Sequence, residues 1–166
     1  MAEILIPGDL GSKFRDDPKS PGSRSTGERR ILIVDDESAI RLVCRVNLDS
    51  SGFETIEAED GETALELARR ERPDLILLDV MLPGLDGWEV AAKLRQMPET
   101  RDIPILFLTA RATTEDEVHG HAVGGIGYIS KPFDPAELTA TVTATLRRVR
   151  RGERDKMRHE WKRSIE

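Results

Sequence analysis

Three carboxylates, a hydroxyl and an ammonium stand in this 166-residue chain where short apolar runs give way to turns. Asp79 ends the run Leu75-Ile-Leu-Leu78, ahead of the breaker pair Pro83-Gly84. Asp35-Asp36-Glu37 follows Ile31-Leu-Ile-Val34, Thr109 follows Ile105-Leu-Phe-Leu108, and Lys131 follows Tyr128-Ile-Ser130. Taken alone, an aspartate beside a turn is as readily a capping residue as a chemical one. Gathered in one cleft, three carboxylates repel one another and require a cation. No histidine or cysteine lies close to them, which argues against zinc. One or two carboxylates, a backbone carbonyl and several waters suit Mg²⁺ instead. Such an ion leaves positions for phosphate oxygens. Lys131 can neutralise another oxygen, and the Thr109 hydroxyl can donate to a third. The set fits phosphoryl transfer by positioning and electrostatics, with Asp79 as the nucleophile that becomes an aspartyl phosphate.

These residues can meet only if the elements between them bring the run ends together. The runs read as strands, the central one too short for a buried helix and preceded by Pro73. Between them lie helical patterns over 38–50, 60–70, 88–97 and 113–123, and a last one from Ala136 to about Arg151. Gly52 stops the first. Asp60 caps the second, and Asp134-Pro135 opens the last. Gly120 and two histidines weaken the fourth. A weakly alternating stretch over 53–58 supplies the remaining strand. Five β-α repeats imply an α/β fold: a doubly wound, five-stranded parallel sheet, flavodoxin-like, in a single domain. In the order 2-1-3-4-5, the first and third strands are neighbours where the winding reverses. Asp35, Asp36 and Asp79 then share one sheet edge, with Thr109 and Lys131 on the next two strand ends.

The bulk properties agree. The chain is 38% hydrophobic and 34% charged, an ordinary globular profile with a charge-rich surface. It has no apolar run near the length of a membrane span, and its first residues lack the basic and apolar parts of a secretory signal. A single cysteine, Cys44, excludes an internal disulfide and is expected as a small buried thiol. A cytoplasmic location is expected. The net charge of −6 hides an asymmetry: residues 30–146 carry 22 acids against 11 bases, while 147–166 carry 9 bases against 4 acids. Three parts follow: a disordered, breaker-rich leader (1–28), a core domain (29–150) and a basic tail (151–166) that could be helical. In the tail, Met157, Trp161 and Ile165 form one narrow apolar stripe among basic residues.

The motifs Ile-Leu-Ile-Val-Asp-Asp-Glu (31–37), Leu-Leu-Asp-Val-Met-Leu-Pro-Gly-Leu-Asp-Gly (77–87), Leu-Thr-Ala-Arg (108–111) and Lys-Pro-Phe (131–133) occur in this order and spacing. Over roughly residues 29–150 the chain resembles the receiver domain of two-component response regulators, of the single-domain type. The resemblance implies that Asp79 takes phosphate from a phosphohistidine on a sensor histidine kinase or phosphotransfer protein. It implies Mg²⁺ bound directly by Asp36, Asp79 and the carbonyl of Met81, with Asp35 acting through water. It further implies that Lys131 pairs with the phosphate. Thr109 and Tyr128 would form a switch in which the hydroxyl turns toward phosphate and the ring follows inward. Such a domain is a phosphoacceptor that assists its own phosphorylation and dephosphorylation, and is not otherwise an enzyme. Asp86 and Glu37 are expected to cap helices, and His119 and His121 to be solvated.

The chain also departs from the winged-helix transcriptional class of these regulators. Where that class has Gly-Ala-Asp-Asp-Tyr, this chain has Gly124-Gly-Ile-Gly-Tyr128, and Thr141 stands where an arginine is usual. Both sides of an expected inter-subunit salt-bridge network are missing, so a monomer that signals by protein contact to an unknown target is expected. Only about 16 residues follow the last core helix, so no DNA-binding domain is expected there. The chain is a stand-alone receiver or a fragment of a larger regulator. Two further readings compete: a nucleic-acid-associated regulator using the basic tail, although nucleic acid is not the expected partner, and a scaffold that never takes phosphate, which the full acid, hydroxyl and lysine set speaks against.

Overall fold

The computed structural model describes residues 29–110 and 113–166. The leader, 1–28, and Arg111 of the Leu-Thr-Ala-Arg motif lie outside the described residues. Strands β1 (Arg30–Val34), β2 (Glu54–Ala58), β3 (Leu75–Asp79), β4 (Ile105–Thr109) and β5 (Gly127–Ser130) alternate with helices α1 (Ser38–Ser50), α2 (Gly61–Glu71), α3 (Gly87–Gln96), α4 (Thr114–Ala122) and α5 (Pro135–Arg150). A sixth helix, α6 (Arg154–Ile165), follows. All strand pairs are parallel and the sheet order is β2-β1-β3-β4-β5, as the alternating pattern requires.

The strands are short apolar runs because both faces of the sheet are covered. Alternate residues serve alternate faces. Leu32, Val34, Ile76, Leu78, Ile105 and Phe107 pack against α2 and α3. Ile31, Ile33, Leu75, Leu77, Leu106 and Leu108 pack against Cys44 and Leu48 of α1 and Leu138, Val142 and Leu146 of α5. Burial, helped by the negative charge of Asp35, pushes the Cys44 thiol up to about 12, which makes it an inert core group. Arg30, 2% exposed, opens β1 and pairs with Glu71 at 2.8 Å and Glu54 at 3.0 Å, tying β1 to α2 and β2.

The helix starts follow local chemistry. Asp60, Asp86, Thr113 and Asp134 each accept a backbone N–H of the first helical turn. Glu37 stands at the N-cap of α1 but makes no such bond. Helix α3 begins at Gly87, one residue earlier than the pattern predicts, and its first turn lies directly on the end of β3. A Cβ at Gly87 would stand 2.3 Å from the Asp79 carbonyl oxygen, so only glycine permits that approach. Gly120, which sequence reasoning takes as a weakness of α4, has a packing role too: a Cβ there would press on Trp88 and Phe107 at 3.1–3.2 Å.

Among the described residues, no helix is long and apolar enough to cross a membrane. Helix α6 lies against β5, the margin of the sheet, and against α4 and α5. Met157 joins the core cluster on one side of the sheet, and Trp161 and Ile165 join the other.

Candidate functional site

The winding reversal between β1 and β3 opens a cleft at the carboxyl ends of the strands. Asp35, the residue after β1, is fully buried, Asp36 is exposed, and Asp79 at the end of β3 is 3% exposed. Their carboxylate oxygens can all lie within 4.8 Å of one another. Asp35 and Asp79 are fixed by backbone. The Asp35 amide donates to the Ala58 carbonyl at 3.1 Å, and Asp35 Oδ1 accepts the Glu37 amide at 2.9 Å. The Asp35 carbonyl accepts Arg41 Nη1 at 2.8 Å, while Asp79 Oδ1 accepts the Met81 amide at 3.2 Å.

Lys131, from the end of β5, reaches across this cluster. Its Nζ lies 2.6 Å from Asp35 Oδ2 and 3.4 Å from Asp79 Oδ2. Its amide donates to the Thr109 carbonyl at 2.7 Å, which fastens the end of β5 to the end of β4. Burial, then the charge of Asp35, push the Asp79 carboxyl up to about 6 against the pull of Lys131. Burial would lower the Lys131 ammonium, but the hydrogen bond to Asp35 and the charges of Asp79 and Asp35 outweigh it and hold the group above its usual value. With every group ionised, three carboxylates face one ammonium. Two uncompensated negative charges in a largely buried cleft favour a divalent cation. The donors present are oxygens, the set suited to a hard ion.

Thr109 ends β4 and is 6% exposed. Met81 follows Asp79 by two residues in the loop, with its amide on the Asp79 carboxylate and its side chain 74% exposed. Tyr128 on β5 is half-buried. Glu117 of α4 is the first cause holding its hydroxyl above the usual pKa, and burial adds to it. The Tyr128 ring lies 6.2 Å from that of Trp161. Thr109, Tyr128, Glu117, Trp88, Phe107 and Trp161 together line a small cavity.

The structure thus brings Asp35, Asp36, Asp79 and Lys131 into one pocket, with Thr109 on the strand end between Asp79 and Lys131 and Tyr128 one layer behind. One expectation needs correction. His121 is only partly exposed and is engaged by α6: its Nε2 lies 3.0 Å from the Arg158 carbonyl oxygen, and its ring meets Trp161 edge-on at 5.5 Å. His119 is exposed, as expected, and its ring also stacks on Trp88 at 4.7 Å. Two residues near the site escaped sequence reasoning, Glu117 and Arg158. Each acts through a partner distant in sequence, so no local spacing marks it.

The family model for the response regulator receiver domain matches residues 31–143. The chain is 50% identical over 120 residues to the alkaline phosphatase synthesis transcriptional regulatory protein PhoP of Bacillus subtilis, covering 72% of this chain and 49% of that protein. It is 48% identical over 122 residues to the phosphate regulon transcriptional regulatory protein PhoB of Escherichia coli, covering 73% and 53%. The chain therefore spans about half the length of these curated relatives. Among solved structures it is similar to the Vibrio cholerae chemotaxis protein CheY4, with 35% identity, a TM-score of 0.69, and coverage of 71% of this chain and 98% of that one. A putative response regulator from Chloroflexus aurantiacus matches with 36% identity, a TM-score of 0.69, and coverage of 73% and 99%.

Proposed function

The chain belongs to the response regulator receiver domain family, and on that premise we propose that Asp79 accepts a phosphoryl group from a phosphohistidine of a sensor kinase or phosphotransfer protein. The observation that carries this reading is the buried Asp79 carboxylate, facing Lys131 at 3.4 Å at the mouth of an oxygen-lined pocket. A carboxylate oxygen of Asp79 attacks phosphorus, the P–N bond of the phosphohistidine breaks, and the imidazole leaves. Water later attacks the aspartyl phosphate, which returns the carboxylate and releases inorganic phosphate.

The chain's own groups position the reaction. Backbone donors hold Asp79 and Asp35 in place, and Lys131 supplies positive charge for a phosphoryl oxygen. Asp36, Asp79 and the Met81 carbonyl are the proposed direct ligands of Mg²⁺, with Asp35 behind them through water. Bound there, the ion supplies charge neutralisation for the phosphoryl oxygens. The Thr109 hydroxyl then donates to the phosphoryl group, and Tyr128 follows it inward. The output is a change in protein contacts at the α4–β5 face.

A nucleic-acid role for the basic last segment is less favoured. Arg158 donates to the Gly125 and His121 carbonyls, Arg154 to the Asp102 carbonyl, and Arg148 pairs with Glu153 and Glu160, so three of the nine basic residues over 147–166 are directed into the chain itself.

The test is mass spectrometry of the intact protein after incubation with Mg²⁺ and acetyl phosphate, compared with Asp79→Asn. One phosphoryl group is expected on the unsubstituted chain and none on the variant. Undiminished labelling of Asp79→Asn would remove Asp79 from the role.

A further inference from the structure

Helix α6 covers the sheet margin that carries Tyr128. Trp161, 8% exposed, fits between His121 of α4 at 5.5 Å and Tyr128 of β5 at 6.2 Å, and closes one wall of the cavity shared with Thr109. One turn earlier on the same helix face, the Arg158 guanidinium donates to the Gly125 carbonyl at 2.6 Å and to the His121 carbonyl at 2.9 Å. Glu160 pairs with Arg148 of α5 at 2.9 Å. These contacts are specific, yet they rest on few groups. Twelve residues are too few to hold a helix without a surface beneath it. The helix is joined to α5 by a short turn at Gly152, φ 76°, whose amide donates to the Val149 carbonyl at 3.0 Å while the Glu153 amide donates to the Arg148 carbonyl at 2.9 Å, so the turn caps α5 and α6 docks as a separate element beyond it. The Trp161 Nε1–H is buried without a hydrogen-bond partner, an opposing cost that keeps the docking shallow.

We propose that α6 is a latch: it occupies the α4–β5 face while Asp79 is unmodified, and phosphorylation of Asp79 opens it through Thr109 and Tyr128, freeing that face for a protein partner. This rests on the receiver reading above. The link is contiguous packing. Thr109, Tyr128, Trp161 and Glu117 of α4 line one cavity. When the Thr109 hydroxyl turns toward a phosphoryl group on Asp79, space opens beside it. The Tyr128 ring, moving into that space, leaves both Glu117 and Trp161. Trp161 loses one of its two flanking rings and α6 loses its anchor. The partner that fits the freed face presents a helix with an arginine and an aromatic residue three apart, the spacing of Arg158 and Trp161.

The experiment uses the full chain carrying Trp88→Phe, so that Trp161 is the sole indole, with beryllofluoride and Mg²⁺ as the phosphoryl mimic. Bound beryllofluoride is detected independently by its ¹⁹F resonance. The expected result is a red-shifted Trp161 emission and greater acrylamide quenching as the ¹⁹F signal of the bound form grows. Coupling between two sites is reciprocal, so Trp161→Ala and Arg158→Gln, each of which loosens the latch, should tighten beryllofluoride binding by about fivefold or more. A bound ¹⁹F signal with unchanged Trp161 emission overturns the latch and leaves the phosphoacceptor reading standing. Unchanged beryllofluoride affinity in both variants likewise overturns the latch. No bound ¹⁹F signal removes the phosphoacceptor reading and the latch with it.

Discussion

Lys131 Nζ lies 2.6 Å from Asp35 Oδ2, closer than its 3.4 Å approach to Asp79 Oδ2. The ammonium therefore compensates chiefly the fully buried carboxylate and leaves the Asp79 carboxyl elevated, ionised near neutral pH yet poorly neutralised. A phosphoryl group on Asp79 would offer Lys131 a new oxygen without taking it far from Asp35. Lys131→Gln removes this charge from both partners. Charged hydrogen bonds are worth about 1.5–3 kcal/mol, so beryllofluoride binding should weaken by roughly tenfold or more. A titration followed by ¹⁹F NMR checks this, and an affinity within about twofold of the parent would rule out a direct role for the lysine.

The elevated Asp79 carboxyl has a consequence for metal-free stability. An aspartate whose folded pKa is raised binds its proton more tightly in the folded state, so stability falls as pH rises from the unfolded value, near 3.8, to the folded value of about 6. Above that window the loss is complete and constant. Asp79→Asn lacks the titration and should be the more stable protein at pH 7 in chelator. The expected margin is about 2–3 kcal/mol, because each tenfold change in proton affinity is worth about 1.4 kcal/mol. Urea denaturation of both proteins from pH 4 to 8 checks this. The two curves should converge toward pH 4 and separate by pH 6; parallel curves would show that the Asp79 carboxyl is not elevated.

Much of this arrangement is legible in the sequence because strand ends carry it. Runs such as Leu75-Ile-Leu-Leu78 are bounded by breakers, and parallel winding leaves little choice about which ends meet. What is not legible depends on contacts between distant segments. The stripe Met157, Trp161, Ile165 marks α6 as amphipathic, but its docking surface is assembled from His121, Gly125 and Tyr128, more than thirty residues upstream of their partners in α6. His121 looks solvated within a polar helix until α6 closes over it. Gly87 reads as a turn residue, yet its role is to let α3 approach the Asp79 carbonyl oxygen.

A dimer through the α4–β5–α5 face should not form when the site is occupied. Ile126 and Gly127 replace the acids, and Thr141 replaces the arginine, that the winged-helix class uses to cross this face. Exposed ion pairs are individually worth about 0–1 kcal/mol, but losing both sides of a network removes what specifies the pairing. Light scattering with and without beryllofluoride should give the monomer mass in both states. A mass that doubles with beryllofluoride, and returns to the monomer on substitution at that face, would contradict this.

Proton uptake by His121 should loosen α6 without any phosphoryl group. Burial holds this imidazole below its ordinary value, and the positive charges of Arg158, His159 and Lys162 on α6 act in the same direction, against the opposing hydrogen bond with the Arg158 carbonyl. Asp155, which lines the same crevice, is the nearby acid. A histidine whose folded pKa is lowered contributes stability that is fully present above the unfolded value of about 6.5 and is lost as pH falls through the folded value. The docked helix should therefore hold at pH 7 to 8 and weaken below about pH 6.5. In the Trp88→Phe chain, Trp161 emission should shift to the red over that range, with circular dichroism showing the strands intact. His121→Gln keeps a side-chain N–H able to donate to the Arg158 carbonyl but cannot take up a proton, so its emission should stay constant over the same range. If the variant and its parent shift alike, His121 is not the group responsible, and the acid sensitivity of the docked helix lies in another titrating residue.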